Sequence, residues 1–178
     1  KPLIAKLADA DPEVATAAAF ALGRIGGSKA ARALQPLLTE ARGTVRAAAA
    51  EGCILCAERF LVERKLSAAT TLCDAVRKAD LPQQRILEAT RGAILARRVK
   101  GIPLLLETLR SPDKALWGMG LHVARELPGR EATDALITEL KQTPAARQGP
   151  LLLALADRKD PVVGPVVIAS ARSGAKDL

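Results

Sequence analysis

Aromatic side chains are almost missing from this sequence: no tyrosine, two phenylalanines and one tryptophan, 2% of 178 residues. That rules out a core built on stacked rings and leaves hardly any platform on which nucleic-acid bases could stack. There is one histidine, His122, too few for a site that needs several imidazoles. Three cysteines are too few, and odd in number, for a disulfide framework. Long apolar runs are also lacking; the longest candidate, Pro150 to Ala156, is far shorter than the roughly 20 residues a membrane helix needs. No stretch alternates with period two long enough to make a strand.

What fills the chain is alanine and leucine, within a hydrophobic content of 49%. These are strong helix formers, and their small or straight side chains suit helices packed close together. Ile102, Leu105, Leu106 and Leu109 lie at i, i+3, i+4 and i+7, one apolar stripe of a helix. The quartet recurs as Leu34, Leu37, Leu38, Ala41; as Ala69, Leu72, Cys73, Val76; as Thr133, Leu136, Ile137, Leu140; and as Val163, Val166, Val167, Ser170. Leu3, Ile4 and Leu7 are the end of a further copy. Leu3, Leu37, Leu72, Leu105, Leu136 and Val166 are then equivalent, at spacings of 34, 35, 33, 31 and 30 residues. Regular self-similarity at this period is the mark of a repeat architecture.

Between the stripes lie second helices, expected over roughly 12–25, 44–64, 82–99, 112–127 and 144–157. Asp11-Pro12, Leu81-Pro82, Ser111-Pro112 and Thr143-Pro144 each put proline in a first turn, where its missing N–H costs nothing and the preceding Asp, Ser or Thr can cap. Gly26-Gly27, Gly101, Pro128-Gly129 and Gly174 are stop signals. Glycines inside the helices (Gly23, Gly52, Gly92, Gly118, Gly120) point to close helix approach.

The stretch Asp11-Pro12-Glu13-Val14-Ala15 through Ala21-Leu22-Gly23-Arg24-Ile25-Gly26, echoed by Val45-Arg46-Ala47-Ala48-Ala49-Ala50-Glu51, resembles the short HEAT-like repeat named after phycobilin lyases. Residues 53–82 lean towards tetratricopeptide spacing, with Ala57, Phe60, Ala69 and Cys73 at matching offsets. Ala57-Glu58-Arg59, Ala79 to Pro82, Ala124 to Gly129 and Ala154 to Arg158 look like HEAT arrays of large bacterial proteins. The resemblance implies an all-α, right-handed α-solenoid (HEAT/armadillo-like superhelix) of about five helical hairpins. It covers residues 1–178 as a single HEAT-like repeat domain, and the start at Lys1 without Met reads as a fragment of a longer protein. Such arrays are often fused to haem c or sugar-dehydrogenase domains, and many are exported in bacteria.

No constellation of catalytic groups emerges. Cys53-Ile54-Leu55-Cys56 is a C-x-x-C, but Ala57 stands where haem attachment needs His, and the pair sits in mid-helix among apolar neighbours. Both read as small core residues, with Cys56 and Cys73 facing each other across one hairpin as free thiols. His122 cannot build the His-Glu clusters of HEAT-type hydroxylases. No catalytic residue, cofactor or metal ligand is assigned.

The net charge of +8 raises the question of nucleic acid, and the window Arg77–Lys100 holds seven basic residues against Asp80 and Glu88. Yet basic residues recur at one repeat position, the C-terminal end of the stripe helices (Arg42, Arg77 or Lys78, Arg110, Lys141, Arg172), where a cation meets the negative end of the helix dipole. Glu40, Asp74, Glu107 and Glu139 precede them at pairing distance. The expected function is a non-catalytic scaffold for a protein partner or neighbouring domains of the same polypeptide. Its candidate surface is Asp74, Arg77, Lys78, Glu107, Arg110, Glu139 and Lys141 on the stripe helices. The alternatives are a structural spacer and non-specific nucleic-acid binding through residues 77–100.

Overall fold

The computed structural model describes the backbone of residues 2–174 and the side chains of residues 2–169. Ser170 and Arg172, assigned above to the last stripe and its basic end, have side chains outside the described residues. Helix dominates the described residues, and no strand occurs among them. The packing resolves into two compact units, Lys1–Arg97 and Arg98–Leu178.

The first unit opens with α1 (Pro2–Ala5) and a 3-10 turn (Lys6–Ala8). Then come α2 (Pro12–Ile25), α3 (Gly27–Leu34), α4 (Leu37–Glu40), α5 (Gly43–Val62), α6 (Leu66–Lys78) and α7 (Gln83–Arg97). In α2, Pro12 occupies the first turn and the Asp11 carboxylate accepts from the backbone N–H of Glu13 at 2.8 Å, as the Asp-Pro signal implies. Helices α2, α5 and α7 form one layer. The stripe helices α3, α4 and α6 pack against them.

Side-chain size sets the spacing of the first layer. A Cβ on Gly23 would overlap the Gly52 backbone, and one on Gly52 would meet Leu34 Cδ1 at 2.7 Å. Thr16 Oγ1 donates to Thr44 Oγ1 at 3.2 Å along the same seam. Ala48, Ala49, Ala50 and Cys53 are fully buried there, and Phe60 closes the core at the far end of α5. Gly92 and Gly120 also face close neighbours (Cys73 Sγ, Thr108 Oγ1), but Gly118 has nothing within 4 Å, so close approach is not its role.

The second unit starts with a 3-10 turn (Arg98–Gly101), followed by α8 (Ile102–Arg110), α9 (Lys114–Glu126), α10 (Arg130–Leu140), α11 (Ala145–Asp157) and α12 (Val163–Gly174). α9 packs on α8 and α11, while α10 and α12 pack on α11. Two helix starts differ from expectation. The α9 cap is Asp113, which accepts from Ala115 and Leu116 N–H at 2.7 and 3.0 Å; Ser111 Oγ instead accepts from Asp113 N–H. Thr143 does not cap α11, because its hydroxyl donates back to the Glu139 carbonyl and so belongs to the end of α10.

Of the equivalent stripe residues, Leu72, Leu105 and Leu136 are buried, whereas Leu37 is only half-buried. Pro36 interrupts this stripe between α3 and α4, and the restart buries Leu34 and Leu38 instead.

Candidate functional site

The stripe helices carry the seven candidate residues, three in the first unit and four in the second. In the first, α6 ends in Arg77 and Lys78, and Asp74 lies one turn earlier. The Asp74 carboxylate accepts from Arg77 at 3.4 Å and from Arg97 of α7 at 2.5 Å. Arg77 Nε donates to Thr90 Oγ1 at 3.2 Å, which turns the guanidinium on to α7. Asp74 and Arg77 are therefore held in place, and Lys78 is exposed with no ion pair among the described residues.

In the second unit, Arg110 at the end of α8 grips Glu139 of α10 in a bidentate pair, Nε to Oε1 at 2.9 Å and Nη2 to Oε2 at 2.6 Å. Two expectations change here. Arg110 was expected beside Glu107 and pairs with Glu139 instead. Glu139 was expected at the surface and is buried, 5% exposed. A buried carboxylate requires a partner, and the planar guanidinium supplies two parallel donors, which also holds Arg110 charged above its ordinary range. Glu107 and Lys141 are exposed and unpaired among the described residues.

A groove of about 550 Å³ opens beside Lys141, lined by Ile137, Leu140, Gln148, Pro165, Val166 and Ala169. Its walls are the stripe helices α10 and α12. In the first unit a smaller groove of about 240 Å³ lies between α3 and α6, with Arg32, Gln35 and Thr71 at its sides and Phe60 and Leu72 beneath.

Several arginines have structural employment that helix-dipole reasoning reached only in part. Arg59 donates to the Ile25 carbonyl at 2.6 Å, satisfying the end of the previous repeat's helix. Arg158 does the same in the second unit, donating to the carbonyls of Ala124, Leu127 and Gly129 at 2.5, 2.8 and 3.0 Å. Arg147 reaches the Ser111 carbonyl at 2.7 Å and lies over the Trp117 ring. The sequence signal was present: Ala57-Glu58-Arg59 and Ala156-Asp157-Arg158 are one motif ending two outer helices. In the basic window, Arg85 pairs with Glu51 and Glu88, and Arg97 with Asp74.

The thiols of Cys53, Cys56 and Cys73 are free and buried. Burial pushes Cys53 up to about 12, helped by the two neighbouring sulfurs. Burial, with Asp74 adding to it, raises Cys73 to about 12, and burial also raises Cys56, against the nearby Arg59. A thiol so raised is not a nucleophile near neutral pH. His122 is exposed on α9. No cluster of His, Cys, Asp or Glu that could hold a metal ion occurs among the described residues, nor does a helix long and apolar enough to cross a membrane.

Stacked hairpins joined through small-residue seams, with arginines closing the ends of neighbouring repeats, define a helical repeat protein. The family model for HEAT repeats matches residues 1–91, just over half of the chain, and the protein belongs to that family. Among solved structures, the chain is similar to an engineered protein determined by crystallography as a structural-genomics target. The identity is 20% and the TM-score 0.52, covering 88% of this chain and 78% of that one. At this identity the likeness concerns the fold. A comparison with curated proteins finds no match.

Proposed function

We propose that this chain is a non-catalytic scaffold that recognises a protein, or another domain of its own polypeptide, through its stripe helices. HEAT repeats generally serve as protein-interaction scaffolds. The observation that carries the reading is the division of labour on those helices. Asp74 with its two arginines and the Arg110–Glu139 pair are fixed parts of the framework, while Lys78, Glu107 and Lys141 stand beside them exposed and unpaired among the described residues. Lys141 also borders the α10–α12 groove, whose apolar lining suits an aliphatic side chain followed by a carboxylate. Rim charges of this kind set partner choice and association rate more than affinity.

Charge reversal tests it. Affinity capture from the native cell should lose its partner when Lys78 and Lys141 are both changed to Glu, and keep it when Lys114 of the outer helix α9 is changed. Equal capture by all three proteins overturns the reading. Titration with short duplex and single-stranded DNA at low salt separates the nucleic-acid alternative. Binding at micromolar concentration or tighter, weakening steeply with salt, would favour that alternative.

A further inference from the structure

Resting on the scaffold role proposed above, we infer that the groove between α3 and α6 docks an acidic segment of the partner protein. The segment seats one aliphatic side chain in the groove and brings a carboxylate to Arg32.

The groove exists because its two walls stand on a third helix. α3 and α6 each pack on α5 and scarcely touch one another. Phe60 of α5 and Leu72 of α6, both buried, floor the space between them. Ala31 and Ala68 line it from the two walls, and their methyl groups are too short to fill it. On their other sides α3 packs on α2 and α6 on α7, so the neighbouring positions of the repeat are occupied. At about 240 Å³ the space is smaller than the roughly 300–1,000 Å³ of sites that enclose a whole small molecule. It suits a single side chain, and the apolar floor favours an aliphatic one. Phe60 is too deeply buried to stack a nucleic-acid base.

The rim sets the charge of the occupant. Ser28, Arg32 and Gln35 lie at i, i+4 and i+7 and form one polar row along the α3 wall. Arg32 is exposed and has no ion pair among the described residues. Lys65, over the Phe60 ring, is already paired with Glu63 at 2.7 Å. No acidic side chain lines the groove. A carboxylate beside the seated side chain therefore meets an unopposed guanidinium, which can grip it with two parallel donors. A basic segment meets repulsion alone. The Ser28 hydroxyl and the Gln35 side-chain amide make no hydrogen bond among the described residues, which leaves both for the backbone of the segment.

Titration of the isotope-labelled full chain, followed by its amide NMR signals, tests this. The probe is the acetylated and amidated peptide Glu-Leu-Glu-Asp, with Glu-Ala-Glu-Asp and Lys-Leu-Lys-Lys as controls. The probe should shift the signals of Ser28 to Gln35 and of Ala68 to Leu72, with a Kd on the order of millimolar that weakens with added salt. Both controls should bind about tenfold more weakly or less. Arg32→Glu should lose the acidic peptide and accept the lysine peptide. Ala68→Leu, at an exposed position of α6, should fill the groove and block both. Circular dichroism of each variant checks that helicity is retained. Absent shifts, shifts confined to other helices, equal binding of the controls, or binding that survives Ala68→Leu overturns the inference. Signals that move when the protein alone is diluted would put a second copy in the groove, and overturn it too. The Lys78 and Lys141 reversals leave this groove untouched. Loss of the captured partner there, without peptide shifts here, would overturn this inference and keep the scaffold role.

Discussion

At the scale of single residues, the core is tuned to the absence of atoms. Gly23 and Gly52 lie so close that a methyl group on either meets backbone or Leu34. Alanine would improve helix propensity by about 1 kcal/mol, but the seam must open to admit it, and overpacking costs about 1–3 kcal/mol. Gly23→Ala should therefore lower the midpoint of urea unfolding, whereas Gly118→Ala, with open space around it, should raise it.

The thiols make an alkaline prediction. Burial raises Cys53 and Cys73 to about 12 in the folded chain, against an ordinary thiol value of 9.0. The unfolded chain ionises first, so their contribution is intact below about pH 9. It is lost progressively as pH rises towards 12, because the unfolded chain releases the thiol protons first. Denaturant melts at pH 8, 9.5 and 10.5 should show a decline that shrinks when both residues are replaced by alanine. Residue roles were legible where both partners share a helix, as with Asp74 and Arg77. They were not legible for Arg110, because its carboxylate comes from Glu139, 29 residues away, and i,i+3 reasoning reads only along one helix.

At the scale of helices, repeat spacing carried most of the fold. Its failures fall where one residue redirects the backbone: Pro36 splitting a stripe, and Asp113 taking over the cap from Ser111. Helix ends also show where stability is held. Arg158 closes three carbonyls left open by α9 and the turn after it, so Arg158→Leu should cost about 2–3 kcal/mol. Lysine should rescue little, because a point charge cannot present the guanidinium's spread of donors. Just after it, Lys159 holds φ at 54°, in the left-handed region. Lys159→Gly should stabilise the chain by up to about 1 kcal/mol, read as a higher thermal midpoint.

At the scale of the whole molecule, the two units each have their own buried core, one around Phe60 and Ile94, the other around Leu105, Leu136 and Leu155. Residues 1–97 expressed alone should give a helical spectrum and a cooperative melt, and a featureless melt would show that this unit depends on the rest. The near-absence of aromatic residues has one more consequence. With no tyrosine, Trp117 dominates the chain's near-ultraviolet emission, and its ring lies 5.1 Å from the Arg147 guanidinium in the second unit. Fluorescence therefore watches the α9–α11 contact, while far-ultraviolet dichroism averages every helix. A gap between the two melting curves would show which end of the chain lets go first, with no label attached.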